Sequence, residues 1–441
     1  MNQADFIVKG GPLWTGPSGD LYPRGYLAAL GGEIIFAGAA EEEAAPPARP
    51  DAVVLDAAGG LIAPGLVNAH CHGAMTLFRG LADDLPLGKW LDEHIFPAEA
   101  AWVTPEMTEL ATLLAAAEML LGGVTTVCDS YFCVDGTARA YLRAGQRAVV
   151  AQGIIDFPAP GLPDPSRALP AARDFVGRWQ EVSPLLCPAL FAHSTYTCSA
   201  RTLTGVAALA QELDVPWHIH LAETQEEVAL SLNRHSVTPV GQLEKLGLLE
   251  SLAAAVHCVW LEPGEMELLA RRGVTVIACP ESNAKLGSGI SDLAALLAAG
   301  AQVALGTDGP ASNNDLSMFG EMATASRLAK TLHHDPAVLP AATVLETALT
   351  GGAAALGLDG LVGALAPGYR ADLMVLDGAS PRLTPLFDPA SALVYAAVAG
   401  DVRHVAVDGR LVVQDRRVRT FDVPAVMAEM NALARRVSAE K

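Results

Sequence analysis

A recurrence constrains the fold most. From residue 61 to residue 308, short apolar runs alternate with Ala/Leu-rich stretches of helical texture. The strand candidates are 61–70, Val124–Asp129, Arg147–Asp156, Leu185–His193, Pro216–Glu223, Ala254–Val259, Val274–Pro280 and Gln302–Asp308. Helical segments such as Pro105–Leu121, Thr202–Leu213, Pro263–Arg272 and Ile290–Ala299 lie between them. Continuous apolar strands separated by helices imply an α/β protein whose parallel sheet is buried on both faces. Eight such units are the number that closes a (β/α)8 TIM barrel.

The two ends have a different texture. Residues 1–60 read as short strands, with a hairpin signal at Gly31-Gly32 and a Pro/Ala-rich link from Ala44 to Pro50. After about Gly368 the chain returns to strands, at Ala371–Leu376, Val402–Val407 and Leu411–Val413, and closes with a helix from Val423 to about Arg436. The expected organisation is a barrel over 61–367 and a small discontinuous β-sandwich domain built from 1–60 and 368–441.

Composition excludes several function classes. The formal net charge is -20. Phosphate-driven nucleic-acid binding needs a cationic face, and so does adhesion to anionic membranes. No run of about 18 uninterrupted apolar residues exists to span a bilayer. Met1–Asp5 lacks a basic region followed by an apolar core, so no signal peptide is expected. The seven cysteines (71, 128, 133, 187, 198, 258, 279) are scattered, and none forms a C-x-x-C pair. They read as reduced cysteines of a cytoplasmic protein. The sequence is compatible with a homo-oligomer without setting its size.

In a barrel of this kind, active-site residues sit at the C-terminal ends of strands. Strand one ends in His70 and His72, whose i, i+2 spacing aims both imidazoles to one face. Strand four ends in His193. Strand five carries His218 and His220, then Glu223. Strand six ends in His257 and strand eight in Asp308. Six of the eleven histidines thus fall at predicted strand ends. His218 and His220 share a face by parity; His220 is favoured because Glu223 follows in a His-x-x-Glu arrangement, with His218 a layer deeper. His94, His235, His333, His334 and His404 read as surface residues. Neutral imidazoles with a carboxylate suit one divalent ion, zinc above others. Such an ion acidifies a bound water, whose proton Asp308 is placed to take, and Glu223 is a second carboxyl close by. Two-metal barrel hydrolases commonly bridge their ions with a carbamylated lysine late in strand four. No lysine lies between Lys89 and Lys245, which favours a mononuclear site.

The set His70-x-His72, His220-x-x-Glu223, His257 and Thr307-Asp308-Gly309 resembles the amidohydrolase superfamily in its one-metal deaminase branch. The stretches 64–70, 77–87, 90–99, 193–199, 280–286 and 306–316 are similar to those of 5-methylthioadenosine/S-adenosylhomocysteine deaminases. The resemblance covers the whole chain. It implies His70, His72, His220 and Asp308 as metal ligands, and Glu223, His257 and Asp308 as catalytic residues. It implies Trp90, Glu99, His193, Glu223 and Asp308 as substrate contacts, with Glu99 accepting from the ribose hydroxyls. The implied reaction replaces the C6 amino group of a small-molecule nucleoside (methylthioadenosine, S-adenosylhomocysteine or adenosine) to give the inosine product and ammonia. The alternative is a deaminase or dechlorinase of guanine, 8-oxoguanine, cytosine or an s-triazine. One departure concerns the homocysteine carboxylate. Some relatives hold it with an arginine after strand three, where this chain has Val150-Ala151-Gln152-Gly153; Arg167 or Arg173, in the loop from Asp156 to Arg173, could substitute. That loop reads equally as a lid or as a plain connection.

Overall fold

A computed structural model describes residues 3–41 and 45–439. Eight parallel strands form one sheet in sequential order: β1 (Leu66–Cys71), β2 (Val124–Tyr131), β3 (Arg147–Ile154), β4 (Leu186–Ser194), β5 (Trp217–Leu221), β6 (Ala254–His257), β7 (Thr275–Ala278) and β8 (Val303–Leu305). The sheet closes through a parallel bridge between Cys71 and Asp308, where the Asp308 N–H donates to the His70 carbonyl at 3.1 Å. Gly306 makes this closure possible. A Cβ there would lie within 2.8 Å of the His70 backbone and Cβ.

Side chains alternate along each strand, and the two faces pack differently. Outward residues such as Val127, Val150, Leu190, Ile219, Val276 and Leu305 pack in one cluster with the surrounding helices. Inward residues, among them Val67, Val149, Phe191, Val256 and Ile277, form a separate cluster with Leu356, Leu358 and Val362. Apolar packing thus dominates the interior, with His218 and Thr126 as buried polar exceptions, and the titratable side chains gather towards the strands' C-terminal ends.

The strand expected over 61–70 is two strands. Ile62–Pro64 pairs antiparallel with Leu373–Leu376 of the C-terminal sheet, and only Leu66–Cys71 enters the barrel. Gly65 is the crossing point, since a Cβ there would lie 2.2 Å from the Thr125 side chain. The chain ends build a four-stranded and a seven-stranded sheet. Phe6, Val8, Leu27 and Ile34 of the first share a core with Leu13, Ile62, Leu373 and Val375 of the second. This is the sandwich drawn from both termini. Part of the expected link, from Ala48 to Pro50, is instead the start of an edge strand, Ala48–Asp56; an edge tolerates Pro50. Ala44 lies outside the described residues. His404, read as a surface residue, is buried in the strand Val402–Val407, where its Nδ1 accepts the Asp415 N–H at 3.3 Å. Among the described residues no helix is long and apolar enough to cross a membrane.

Candidate active site

The histidines of β1 emerge beside the end of β8. The Asn68 side chain ties the two together: its Nδ2–H donates to Thr307 Oγ1 at 2.8 Å, and its Oδ1 accepts the Thr307 N–H at 3.1 Å. Asp308 is thereby held against the imidazoles, with its Oδ1 3.6 Å from His70 Nε2 and 3.2 Å from His72 Nε2. His220 completes the group, its Nε2 3.3 Å from that of His70. One ligand atom from each of His70, His72, His220 and Asp308 lies within 4.8 Å of the others, so the four could hold a metal ion.

The donor set fits a divalent cation. Burial drives the His70 imidazole down to about 3 and His220 well below its ordinary value, so both imidazoles are neutral, with lone pairs a cation could use. His72 Nδ1–H donates to the Ser130 carbonyl, which fixes the tautomer and turns Nε2 inward. The Phe191 ring lies under the group, stacked on His70 at 5.5 Å. Burial works against the ionised form of Asp308, but the imidazoles beside it hold the carboxyl well below the usual range. The hydroxyls of Ser282 and Ser312 donate to its Oδ2 at 2.6 and 2.8 Å, leaving Oδ1 for the imidazole side. Ala222, His257 and Asp308 all adopt positive φ (52°, 75° and 59°). Such strain in non-glycine residues is held by surrounding structure and gathers at functional sites.

The other expected residues converge on the same cavity. It encloses about 710 Å³ of empty space, counted out to its mouth, and is lined by His72, His193, His220, Glu223, His257 and Asp308, together with Trp90 and Glu99. His70 sits beneath, wholly buried. His257 Nδ1 is 2.9 Å from Asn283 Oδ1, which leaves Nε2 facing Glu223 Oε2 at 3.7 Å. Burial raises the Glu223 carboxyl, and Ser288 Oγ donates to its Oε1 at 3.2 Å. Glu99 is 4% exposed, accepts the Tyr131 hydroxyl at 2.6 Å, and is pushed up to about 7 by burial. His193, lowered to about 4 by burial, has Nδ1 3.0 Å from Thr197 Oγ1. Trp90, Ile95 and Glu99 share one face because the helical run from Leu87 to Trp102 takes a π turn at Leu91–Ile95.

His218 is the deeper histidine. Its Nδ1 lies 3.6 Å from Cys128 Sγ, and it is not a member of the group. Neither Arg167 nor Arg173 lines the cavity. Arg173 is engaged on the outer surface by Glu212, at 2.6 Å. Ser282, Ser312, Asn283, Ser288 and Phe191 are site residues that the sequence reading did not single out.

The chain belongs to the amidohydrolase family, whose sequence profile matches residues 61–412. It is 46% identical over 437 residues to a protein of Syntrophobacter fumaroxidans named 5-methylthioadenosine/S-adenosylhomocysteine deaminase, covering 99% of each chain. It is 43% identical over 385 residues to the 5'-deoxyadenosine deaminase of Methanothermobacter thermautotrophicus, covering 86% of this chain and 88% of the relative. Among solved structures, an adenosine deaminase from Xanthomonas campestris with bound zinc superposes with a TM-score of 0.95 at 38% identity, covering 99% of both chains. An atrazine chlorohydrolase from Arthrobacter aurescens, complexed with zinc, shares the fold at 23% identity and a TM-score of 0.88, covering 97% of this chain and 99% of that one.

Proposed function

We propose that the chain is a cytoplasmic, zinc-dependent hydrolytic deaminase of adenosine derivatives. It releases ammonia from C6 and leaves the inosine product. One observation carries this reading: Glu99 shares a pocket with Glu223 and the His/Asp group. A buried carboxyl with acceptor capacity to spare suits the two hydroxyls of a ribose, which a free base or a triazine does not offer.

One zinc ion held by His70, His72, His220 and Asp308 would lower the pKa of a bound water from about 15.7 towards roughly 7. The protein's own groups do the rest. Glu223, whose burial favours the protonated form, gives its proton to the ring nitrogen beside C6. His257, turned by Asn283, presents Nε2 to the attacking oxygen. Asp308 Oδ1 takes the water proton and passes it to the departing amine, while Ser282 and Ser312 steady the other oxygen. Trp90 packs on the ligand, His193 contacts the purine, and the aromatic walls exclude bulk water.

The test is ammonia release, with zinc added, from methylthioadenosine, S-adenosylhomocysteine, adenosine, guanine, cytosine and a chloro-triazine. Turnover is expected only with the adenosine derivatives. With no arginine lining the pocket, kcat/KM for methylthioadenosine is expected to exceed that for S-adenosylhomocysteine. Turnover confined to free bases or triazines would keep the metal chemistry and remove the nucleoside reading.

A further inference from the structure

The cavity over the metal group opens into a second chamber. Five residues, Leu87, Leu91, Phe96, Tyr196 and Leu286, line both. The outer chamber holds about 1360 Å³ of empty space counted out to its mouth, more than the inner pocket. Phe157 and Trp260 add aromatic faces to its walls. Trp260 is 38% exposed, yet its indole N–H donates to the Ser288 carbonyl at 2.6 Å, so the ring is held in place. Of the segment from Asp156 to Arg173, which the sequence left as either a lid or a plain connection, only Phe157 lines either chamber, against Phe96 at 5.3 Å between ring centres.

The charges on these walls are unbalanced. The charged lining residues are Lys89, Asp92, Glu226 and Glu227. Lys89 has a carboxylate partner of its own, Glu93, at 3.8 Å. Glu227 is buried and occupied, accepting the Glu223 N–H at 2.8 Å and Thr195 Oγ1–H at 3.1 Å. Asp92 and Glu226 remain, exposed, and neither side chain has a hydrogen bond or ion pair to another described residue. Burial first, then the charges of Glu223, Glu227 and Asp92, push the Tyr196 phenol up, so the Asp92 charge is felt at the wall the two chambers share. No arginine lines either chamber. An anionic tail entering here meets two free carboxylates and one cation already paired. An ammonium tail meets the same carboxylates and the aromatic rings of Phe157 and Trp260.

We propose that the outer chamber is a subsite for the 5′ end of the ligand, and that it takes adenosine 5′-thioethers whose tail ends in a primary ammonium while rejecting those ending in a carboxylate. This rests on reading the inner pocket as an adenosine site. With C6 at the metal group and the ribose at Glu99, the 5′ substituent leaves past Phe96 and Tyr196 into the larger space.

The test uses three adenosine 5′-thioethers, with aminopropyl and carboxyethyl tails matched in length and a propyl tail as the shorter uncharged comparison, and methylthioadenosine as reference, all with the zinc-loaded full chain. The expected order of kcat/KM is aminopropyl, propyl, carboxyethyl. The ammonium-to-carboxylate ratio should be roughly tenfold or more at low salt, carried mainly by KM, and should shrink at about 0.5 M salt as screening sets in. In the double substitution Asp92→Asn, Glu226→Gln the same ratio, taken within that one protein, should fall towards one. Equal values for the two charged tails, a preference for the carboxylate, or a ratio that survives the double substitution would each overturn the subsite. Failure to deaminate methylthioadenosine as well as all three thioethers would sink the adenosine reading, and the subsite with it.

Discussion

At Glu99 two requirements compete. Burial raises the carboxyl to about 7, while the Tyr131 hydroxyl at 2.6 Å favours its ionised form. The ionised form is the one that would accept from the proposed pair of ribose hydroxyls. Glu99→Gln keeps the shape but removes the charge and one acceptor, weakening two charge-assisted hydrogen bonds by about 3 kcal/mol together. The expected result is a roughly hundredfold loss of kcat/KM on nucleosides, with the metal content of the purified protein unchanged. Undiminished nucleoside turnover would remove the ribose role. The clustering of the candidate metal-holding residues was legible because chemistry and geometry coincide there: His70, His72 and Asp308 sit where period two and the barrel rule both aim polar groups. The hydroxyls on Asp308 were not legible. Serines such as Ser282 and Ser312 are common in loops, and no periodicity says which of them folds back onto a carboxylate. Parity could not choose between His218 and His220 either; burial against Cys128 is what sets His218 apart.

The helix Gln225–His235 shows what an element contributes behind the reacting groups. Thr224 caps it by accepting the Glu227 N–H at 3.1 Å, and Glu227 reaches back to the Glu223 N–H at 2.8 Å. The first turn of the helix thus fixes the backbone of the proposed proton donor. The arrangement buries Glu227, and burial pushes its carboxyl up to about 7 from an ordinary value of 4.5. The unfolded chain loses this proton near the ordinary value, the folded protein only near 7. Between those values the folded state binds more protons, so the group's contribution to stability falls as pH rises. Glu99, raised in the same way, adds to the trend. Buried neutral imidazoles such as His70 and His193 act in the opposite sense below about pH 6.5, so the readout is the slope of Tm against pH in calorimetric scans. Between about pH 5 and about pH 7, Glu227→Gln, which cannot ionise, should shift that slope upward by removing the fall due to Glu227. An unchanged slope in the variant would show that Glu227 is not a source of it. Elements differed in legibility for comparable local reasons. The helix Pro105–Leu121 is bounded by a Thr104 cap, a proline at its first position and Gly122 after its end, signals written into the residues themselves. The π turn at Leu91–Ile95 carries no such signal, and the crossing at Gly65 depends on a Thr125 contact distant in sequence.

At the scale of the whole molecule, a buried ion pair joins the barrel to the terminal sandwich. Arg147, the first residue of β3, donates from Nε to Asp372 Oδ2 at 2.9 Å and from Nη2 to Asp372 Oδ1 at 3.2 Å. Asp372 immediately precedes the strand Leu373–Leu376 and also accepts the Asp408 N–H at 2.7 Å. The two side chains are 4% and 1% exposed. The shared sandwich core was foreseeable from two β-rich ends, but this pairing was not, because 225 residues separate its partners. Arg147→Met removes the guanidinium from both Asp372 and Asp408 and leaves Asp372 as a buried charge without its cationic partner, at a cost of about 3–5 kcal/mol. The denaturant midpoint should fall accordingly. Adding Asp372→Asn to that variant removes the orphaned charge and should recover most of the loss, which a general packing defect at position 147 would not permit. Arg147 starts β3 at the end of the barrel opposite the metal group. The kcat and KM of the folded single variant should therefore match those of the parent. A changed kcat at unchanged metal content would mean that the sandwich tunes the site through β3, and the two ends of the barrel could no longer be treated as independent.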